Sequence, residues 1–539
     1  MTNLRIAMAQ MNPVVGDIAG NAEKIISWSI RAKQGFQADV VIFPELALTG
    51  YPPEDLLFRV QFLQQLESAI ETIKLENPGL CMIFGSVTRE NDVLYNSAII
   101  LQPDQSVQYY AKHYLPNYGV FDERRYFQPG NEACVINVKD LQLGVTVCED
   151  IWFPGPAAKS VASGAQVILN LNASPFHASK TVDRLSQVKQ RVAENKVPVC
   201  YVNMVGGQDE LVFDGHSFVV DTDQNLLLEV EGFEECLAVV NIDGTGSVRA
   251  VTETVSESED LQQLYDALVL ATHDYVIKNG FKNIVLGLSG GIDSALVLAI
   301  AVDALGADAV HAIMMPYHYT SDISVFDAAE QAKLLNVSYS EIAIGEPVQA
   351  FMNVLQDEFS GLGKDVTEEN LQARSRGVIL MAISNKKGAM LLTTGNKSEM
   401  SVGYATLYGD MAGGFAPIKD VSKLNVFALA NFRNSISPAI PQRVIDRPPS
   451  AELAPDQKDE DSLPPYEILD PILEMYIEQD LSVTEIIDNG FDEEAVKRVT
   501  WLVDMSEYKR RQSPPGVRVT QRAFGKERRY PITSGFKRS

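Results

Sequence analysis

Cysteine, histidine and tryptophan are scarce in this chain, at five, six and three of 539 residues. The cysteines, Cys81, Cys134, Cys148, Cys200 and Cys236, form no CxxC pair, so neither a zinc site nor a disulfide framework is expected. A reduced, cytoplasmic setting fits best, and any special cysteine must be special for its reactivity. No run of about 18 or more apolar residues occurs, so no membrane span is expected. The opening residues, MTNLRIAMAQ, lack a basic region leading into an apolar stretch and a small-residue cleavage site, so secretion is not indicated. Positive charge is short as well: 45 Lys and Arg against 71 Asp and Glu leave a net −26, which argues against a general nucleic-acid binder. Internal repeats and low-complexity tracts are absent.

What is present describes a globular protein of ordinary composition, 46% hydrophobic and 22% charged, long enough for two or more cores. The first half alternates short apolar strands with amphipathic helices: LRIAMAQ, ADVVIFPEL, LCMIFGSV, LQLGVTVCED, AQVILNLNAS and VPVCYVNMVG. The pattern predicts an α/β architecture. Closely spaced strands without helices, HSFVVD and NLLLEVE, follow and favour a layered sandwich over one doubly wound sheet. Near DGTGSVRAVTETVSESED apolar density falls, which places a first domain at 1–245, a linker at 246–260 and a second domain at 261–539.

The second domain begins with apolar residues at helical spacing, Leu261, Leu264, Tyr265, Leu268, Val269 and Val276, with Gly280 as a stop. NIVLGL then reads as a buried strand, and AVHAIMM and AMLLTTGN continue the α/β pattern. The proline-bounded stretch 447–466 reads as a flexible linker or as a loop that covers a site. Charge is uneven: residues 509–539 hold ten Lys and Arg and one acid, Glu527, a local +9 that leaves −35 elsewhere. That is either a solvated basic tail or a segment folded over a polyanionic small molecule.

Between NIVLGL and a helix lies SGGIDS. Gly290 and Gly291, free of Cβ, let backbone N–H groups converge on an anion, and the helix N-terminus adds its dipole. Ser289 and Ser294 add hydroxyls. Asp293 is out of place beside phosphates unless a Mg²⁺ sits between them. The motif is not a Walker loop, and an ordinary strand–turn–helix capped by Ser289 is the bland alternative. SGG-x-D-S resembles the pyrophosphate loop of the N-type ATP pyrophosphatases, which cleave ATP between the α and β phosphates. With MPYHYTSDIS, TEENLQARSRG, LLTTGNKSEMSVGYATLYGDMAGGFAPIKDVSK and PPSAELAPDQKDEDSLPPYEILD, residues 285–470 closely resemble the NAD synthetases. The resemblance implies an adenine-nucleotide-hydrolase-like fold with a parallel sheet. It implies an ATP site of Gly287, Leu288, Ser289, Gly290, Gly291, Ile292, Asp293, Ser294 and Thr394. It further implies that Asn370, Glu399 and Lys509 face deamido-NAD, and that Asp293 and Glu399 share Mg²⁺.

Upstream, FPELALTGY carries Glu45, AKHYLPNYGVFDERRYF carries Lys112 and GVTVCEDIWFP carries Cys148, each at or just beyond a strand-like run. Singly, such a cysteine is usually inert core and such a Glu or Lys usually surface. Together they resemble the Glu-Lys-Cys set of the nitrilase (carbon–nitrogen hydrolase) superfamily, which implies an αββα sandwich over about 1–245. The chemistry suits the residues: a thiolate as nucleophile, a carboxylate as proton carrier, and an ammonium where a tetrahedral oxyanion develops. LPNYG and NASPFHASK extend the likeness to the glutaminase domains of glutamine-dependent NAD synthetases, which implies Tyr118, Ser174 and Lys180 as glutamine ligands.

The expected activity is ATP-dependent amidation of deamido-NAD to NAD with ammonia from glutamine, through an adenylylated intermediate, releasing AMP and pyrophosphate. The likeness further implies a homo-oligomer, dimeric or octameric, with Mg²⁺ and no organic prosthetic group. A GMP-synthetase-like enzyme is disfavoured because that group resembles a different glutaminase with a Cys-His-Glu set. A nucleotide sensor with a decayed amidase half is disfavoured because every expected reactive residue is present.

Overall fold

The computed structural model describes residues 3–244, 246–252, 259–450, 452–454, 459–461 and 463–536, and the chain divides into two compact units, 1–258 and 259–539. The strands of the first unit are β1 (Asn3–Gln10), β2 (Val40–Ile42), β3 (Cys81–Glu90), β4 (Val93–Leu101), β5 (Val107–Ala111), β6 (Cys134–Val138), β7 (Leu141–Val147), β8 (Val167–Asn172), β9 (Val199–Asn203), β10 (Val205–Gln208), β11 (Leu211–Asp214), β12 (Phe218–Val220), β13 (Leu226–Glu229), β14 (Cys236–Asp243) and β15 (Val248–Ala250). Seven form a sheet in the order β15-β14-β1-β2-β3-β4-β5, six form a second in the order β13-β12-β9-β8-β7-β6, and β10 pairs with β11.

The period of two along a strand decides the layering. Ile6 and Met8 of β1, Ile83 of β3, Val145 and Val147 of β7, and Leu169 and Leu171 of β8 meet in one core between the sheets. Their neighbours point the other way. Ala7, Ala9, Met82 and Phe84 pack beneath the helices α1 (Ile18–Phe36) and α2 (Val60–Leu75). Ile168 and Tyr201 pack with Val188 and Val192 of α4 (Lys180–Asn195), and with Val161 of the preceding α3 (Pro154–Ala162). Strands covered on both faces must be apolar throughout, hence runs such as VVI and VILNLN. This is the αββα sandwich that the sequence leads one to expect.

The expected linker at 246–260 needs correction at its start. Val248–Ala250 is the edge strand β15, with Val240 of β14 opposite Ala250. A three-residue, half-exposed strand is too short to show an alternation in the sequence. Residues 253–258 of that linker lie outside the described residues.

The second unit holds a four-stranded parallel sheet of β16 (Ile284–Gly287), β17 (Val310–Met314), β18 (Ser338–Glu341) and β19 (Met390–Leu392), in the order β18-β17-β16-β19. The chain runs outward from β16 through β17 to β18, then returns to the other side of β16. Crevices at the carboxyl ends of strands at such a reversal are where open α/β sheets bind ligands, and SGGIDS sits at the carboxyl end of β16. Its helices include α5 (Asp260–Lys278), α6 (Ile292–Leu305), α7 (Asp322–Leu334), α8 (Gly345–Val354), α9 (Val366–Lys387), α10 (Lys397–Val402) and α11 (Lys423–Ile436). α6 is apolar around most of its circumference because it lies against the sheet with α5 and α11 packed on it. Helices at Tyr466–Leu473, Val483–Asp488 and Glu493–Met505 close a second small core around Leu469, Ile486 and Val499. Among the described residues, no helix is long and apolar enough to cross a membrane.

Candidate active sites

In the first unit, three strand ends deliver Glu45, Lys112 and Cys148 to one place. Glu45 lies on the segment after β2, which is laid against β3 by Gly85: the Gly85 N–H donates to Pro44 O at 3.0 Å and Gly85 O accepts from the Leu48 N–H at 3.1 Å. A Cβ on Gly85 would lie 2.6 Å from Glu45 Cα, so only glycine permits this approach. Lys112 follows β5. Cys148 follows β7 and opens the 3-10 turn Cys148–Trp152 with φ +44°, a backbone state costly for a residue with a side chain and typical of functional turns. Asp150 ties the nucleophile turn to the Lys112 segment. Its Oδ2 accepts from the Val147 N–H at 3.2 Å and the Tyr110 hydroxyl at 2.7 Å. Its Oδ1 accepts from the N–H groups of His113 and Tyr114 at 3.0 and 2.9 Å.

Lys112 Nζ lies 2.7 Å from Glu45 Oε1 and 2.8 Å from Glu123 Oε1, with the side chains of Lys112 and Glu45 fully buried. Asn96 Nδ2 donates to Glu45 Oε1 at 2.7 Å, and the Ala173 N–H donates to Glu45 Oε2 at 3.0 Å. Tyr51 OH donates to Glu123 Oε1 at 2.9 Å. Burial opposes the Lys112 ammonium, but Glu123 and Glu45 overcome it and hold its pKa well above the ordinary value. Burial likewise pushes Glu123 up to about 7, against the pull of Lys112. Burial and then the Glu45 carboxylate push the Cys148 thiol well up, with Lys112 opposing. Cys148 therefore rests as a thiol and needs a base at the moment of attack.

The three residues assigned to glutamine gather around this centre. Tyr118 OH donates at 2.9 Å to Oε1 of Glu149, the residue after Cys148. Lys180 Nζ sits 4.2 Å from the centroid of the Trp152 ring, and its pKa is lowered by burial and by Arg184. Ser174 adjoins the N–H that holds Glu45, and its Oγ accepts from Arg184 Nε at 3.1 Å.

In the second unit the turn after β16 has the geometry the glycines suggested. Gly290 has φ +80°. The Ser294 hydroxyl closes the turn, donating to Gly291 O at 3.0 Å and accepting from the Ser289 N–H at 3.2 Å. The turn borders a cavity of about 510 Å³. Gly287, Leu288, Ser289, Gly291, Ile292, Asp293, Ser294, Thr394, Asn370, Glu399 and Lys509 all line it, and Gly290 does not. The proline-bounded stretch reaches the same cavity through Arg447, Pro449, Ser450, Glu452, Leu453 and Asp459. Residues 451, 455–458 and 462 of it lie outside the described residues.

Asp293 and Glu399 do meet, but with a lysine between them. Lys423 Nζ lies 2.5 Å from Asp293 Oδ2 and 3.1 Å from Glu399 Oε1, while Asn396 Nδ2 donates to Asp293 Oδ1 at 2.8 Å. Burial pushes Glu399 up to about 8, with Lys423 opposing and Asp293 and Asp459 adding to the rise. No ready cluster of three or more metal-ligating side chains occurs among the described residues. The donor set nevertheless fits a hard cation: carboxylate oxygens, more acid than the one lysine neutralises, and a neighbouring anion cradle.

The basic C-terminus corrects both readings of it. Among its described residues, 509–536, several cations are paired within the fold rather than solvated, and of them Lys509 alone lines the cavity. Arg510 is buried, donating to Ser401 O at 2.6 Å and to Glu507 Oε2 at 2.9 Å. Arg528 pairs with the same carboxylate at 2.7 Å, Arg522 pairs with Asp480 at 2.5 Å and Arg518 pairs with Glu527. Lys509 reaches the cavity with Nζ donating to Gly403 O and Ala405 O at 2.7 and 2.8 Å, which leaves one of its three N–H bonds for a ligand.

Sequence reasoning missed Glu123, Asn96 and Lys423. Glu123 precedes Arg124 and Arg125 and reads as surface, and only the 3-10 turn Glu123–Arg125 turns it inward. Lys423 reads as a first-turn helix lysine, yet it is 1% exposed.

Comparison with known proteins follows the same division. The carbon–nitrogen hydrolase family model matches residues 5–250 and the NAD synthase model residues 264–513. The glutamine-dependent NAD(+) synthetase of Acinetobacter baylyi is 47% identical over 540 residues, spanning 100% of this chain and 99% of that protein. The Thermotoga maritima protein of the same name is 42% identical with both chains fully covered. Among solved structures, glutamine-dependent NAD+ synthetase from Acinetobacter baumannii in complex with ADP superposes over 100% of both chains with a TM-score of 0.81 at 46% identity.

Proposed function

Because the chain belongs to the family of glutamine-dependent NAD(+) synthetases, we propose that its two sites divide one reaction. The carrying observation is that each unit holds a chemically complete site: a buried carboxylate–ammonium–thiol centre in the first and an anion turn on a large cavity in the second. In the first, Cys148 attacks the side-chain amide carbon of glutamine while Glu45 takes the thiol proton. Lys112 supplies positive charge to the oxyanion, a stabilisation typically worth about 2.7–4 kcal/mol. Glu45 passes the proton to the departing ammonia and then draws one from the water that cleaves the thioester to glutamate. Glu123, beside the same ammonium, helps fix Lys112 against Glu45. Tyr118, Ser174 and Lys180 hold the amino-acid end of glutamine.

In the second unit, Ser289, Gly291 and Ser294 cradle the β and γ phosphates of ATP at the N-terminus of α6. An oxygen of the nicotinate carboxylate of deamido-NAD attacks the α phosphorus and pyrophosphate leaves. Ammonia then attacks the activated carbonyl carbon, AMP departs and the nicotinamide of NAD remains. Thr394 contacts ATP; Asn370, Glu399 and Lys509 face the dinucleotide. Mg²⁺, held by Asp293 and Glu399 once Lys423 turns to the phosphates, would neutralise charge on the triphosphate.

The test is Cys148→Ala assayed with each nitrogen source. Glutamine-supported NAD formation should vanish while formation from ammonium salts persists within a few-fold. Retained glutamine-supported activity would overturn the assignment of the nucleophile, and ADP with phosphate as products would overturn the pyrophosphate-cradle reading.

A further inference from the structure

The segment Ala173–Pro175 after β8 does two jobs for the first site: its Ala173 N–H holds Glu45 Oε2 at 3.0 Å, and it carries Ser174. Nothing regular holds this segment, so its position must come from side chains. Arg184, one turn inside α4 and 1% exposed, uses Nε and Nη2 on it. Nε donates to Ser174 Oγ at 3.1 Å. Nη2 donates to Ser174 O at 2.7 Å and Pro175 O at 3.1 Å. Nη1 donates to both carboxylate oxygens of Asp214, at 2.8 and 2.7 Å. Asn203 completes the frame: its Oδ1 accepts from the Ser174 N–H at 2.9 Å and its Nδ2 donates to Gly215 O at 2.9 Å.

All five N–H bonds of the arginine are therefore spent, and its charge is matched by a carboxylate that is itself fully buried. A guanidinium satisfied in this way has one orientation, which fixes the two carbonyls and the hydroxyl that it touches. It also sets the polarity of Ser174. Because Oγ accepts from Nε, the hydroxyl is left to donate; the Tyr201 hydroxyl lies beside it, and the carboxylate of an amino-acid substrate is the stronger acceptor for that proton.

We infer that Arg184, buttressed by Asp214, is a positioning residue of the glutamine site: it holds Ser174 as a donor to the substrate carboxylate. Arg184 touches neither the reacting carbon nor the thiol, so it acts through the segment. This rests on Cys148 being the glutamine-attacking nucleophile.

The experiment compares two electrophiles that alkylate Cys148, followed by mass spectrometry on the full chain. Iodoacetamide is small and needs only a reactive thiol. The glutamine-shaped diazoketone 6-diazo-5-oxo-norleucine needs the amino-acid pocket as well. Arg184→Lys keeps the charge against Asp214 but cannot reach two carbonyls and a hydroxyl from a single nitrogen. It should lower the second-order rate of diazoketone labelling at least about tenfold and raise the KM for glutamine. Iodoacetamide labelling and ammonia-supported NAD formation should stay within about twofold. The paired replacement Arg184→Met with Asp214→Leu guards against loss of the fold, since apolar replacement of a buried ion pair commonly retains stability, and it should show the same split. Parallel loss with both electrophiles, or no change with either, would overturn the inference. If the diazoketone fails to label Cys148 in the unaltered protein, the glutaminase reading itself falls, which separates the two failures.

Discussion

Gly290→Ala and Gly291→Ala add the same methyl group one residue apart, and they should differ sharply. Gly290 has φ +80°, where an alanine costs about 1–2 kcal/mol. Its Cβ would lie 2.9 Å from both Ser324 C and Ser324 Cα, and closer still to the carbonyl oxygen. Ser324 cannot yield readily. It is fully buried, and its hydroxyl is held by Glu452 and Arg447, each at 2.8 Å. The turn must move instead, by about 1 Å, a displacement that commonly costs a site on the order of 10²-fold in rate. At Gly291, φ is −95° and the nearest atom to a Cβ is Ser289 Oγ at 3.4 Å, an ordinary contact. Gly291→Ala should lose about 0.5–1 kcal/mol of stability at the helix cap and keep its rate within about threefold, less than 1 kcal/mol of barrier. The assay is steady-state NAD formation from ammonia, ATP and deamido-NAD, with thermal unfolding alongside. Equal losses in the two variants, or a Gly290→Ala enzyme at the unaltered rate, would refute the steric account of the turn.

Other outcomes can be checked alongside. Asp293→Asn should depress NAD formation with both nitrogen sources and be partly rescued by raised Mg²⁺; unchanged activity at limiting Mg²⁺ would remove Asp293 from the cation site. Lys509→Ala should raise the KM for deamido-NAD about tenfold, the loss of one charge-assisted hydrogen bond, and the KM for ATP far less. A change below twofold would return Lys509 to a purely structural role on Gly403 and Ala405. Glu123, pushed up to about 7 by burial, stabilises the fold most fully below about pH 4.5, and that contribution is lost as pH rises through about 7. Glu123→Gln does not titrate, so the Tm of the unaltered protein relative to this variant should fall between about pH 5 and pH 8. A gap that stays constant over that window would show that Glu123 does not titrate there.

The legible parts of the fold were those where burial on both faces forces a continuous apolar run, as in VVI, VILNLN and IVLG. Strands at sheet edges were not. β18 reads SYSE because it pairs only with β17 and meets solvent, and β15 was mistaken for linker for the same reason. In the sites, residues on strand ends or in a glycine turn announced themselves by position: Glu45, Cys148, Asp293. Glu123 and Lys423 did not, because what makes them functional is burial against partners more than ten residues away in sequence. The C-terminal arginines misled for the opposite reason. A charge count sees the cations but not the carboxylates and carbonyls already assigned to Arg510, Arg518, Arg522 and Arg528.

The C-terminal contacts of the second unit bear on the order in which the protein is completed during synthesis. β1 pairs along its full length with β14, from Asn3 opposite Asp243 to Gln10 opposite Cys236, so the first sheet can close once residues near 250 have been made. The second unit waits much longer. The Ala416 N–H donates to Pro515 O at 2.9 Å, Lys419 Nζ donates to Pro514 O at 2.7 Å, and Asp420 Oδ2 accepts from the N–H groups of Val519 and Thr520 at 2.9 and 2.8 Å. Lys397, two residues before Glu399, donates to Thr520 Oγ1 at 2.8 Å. Domains fold as units, the N-terminal one first, and here the synthetase site is fastened by residues 514–520, made long after the first unit can close. A chain cut short before Thr520 would carry a finished glutamine-hydrolysing unit and an unfastened consumer of its ammonia, releasing nitrogen with nothing to receive it.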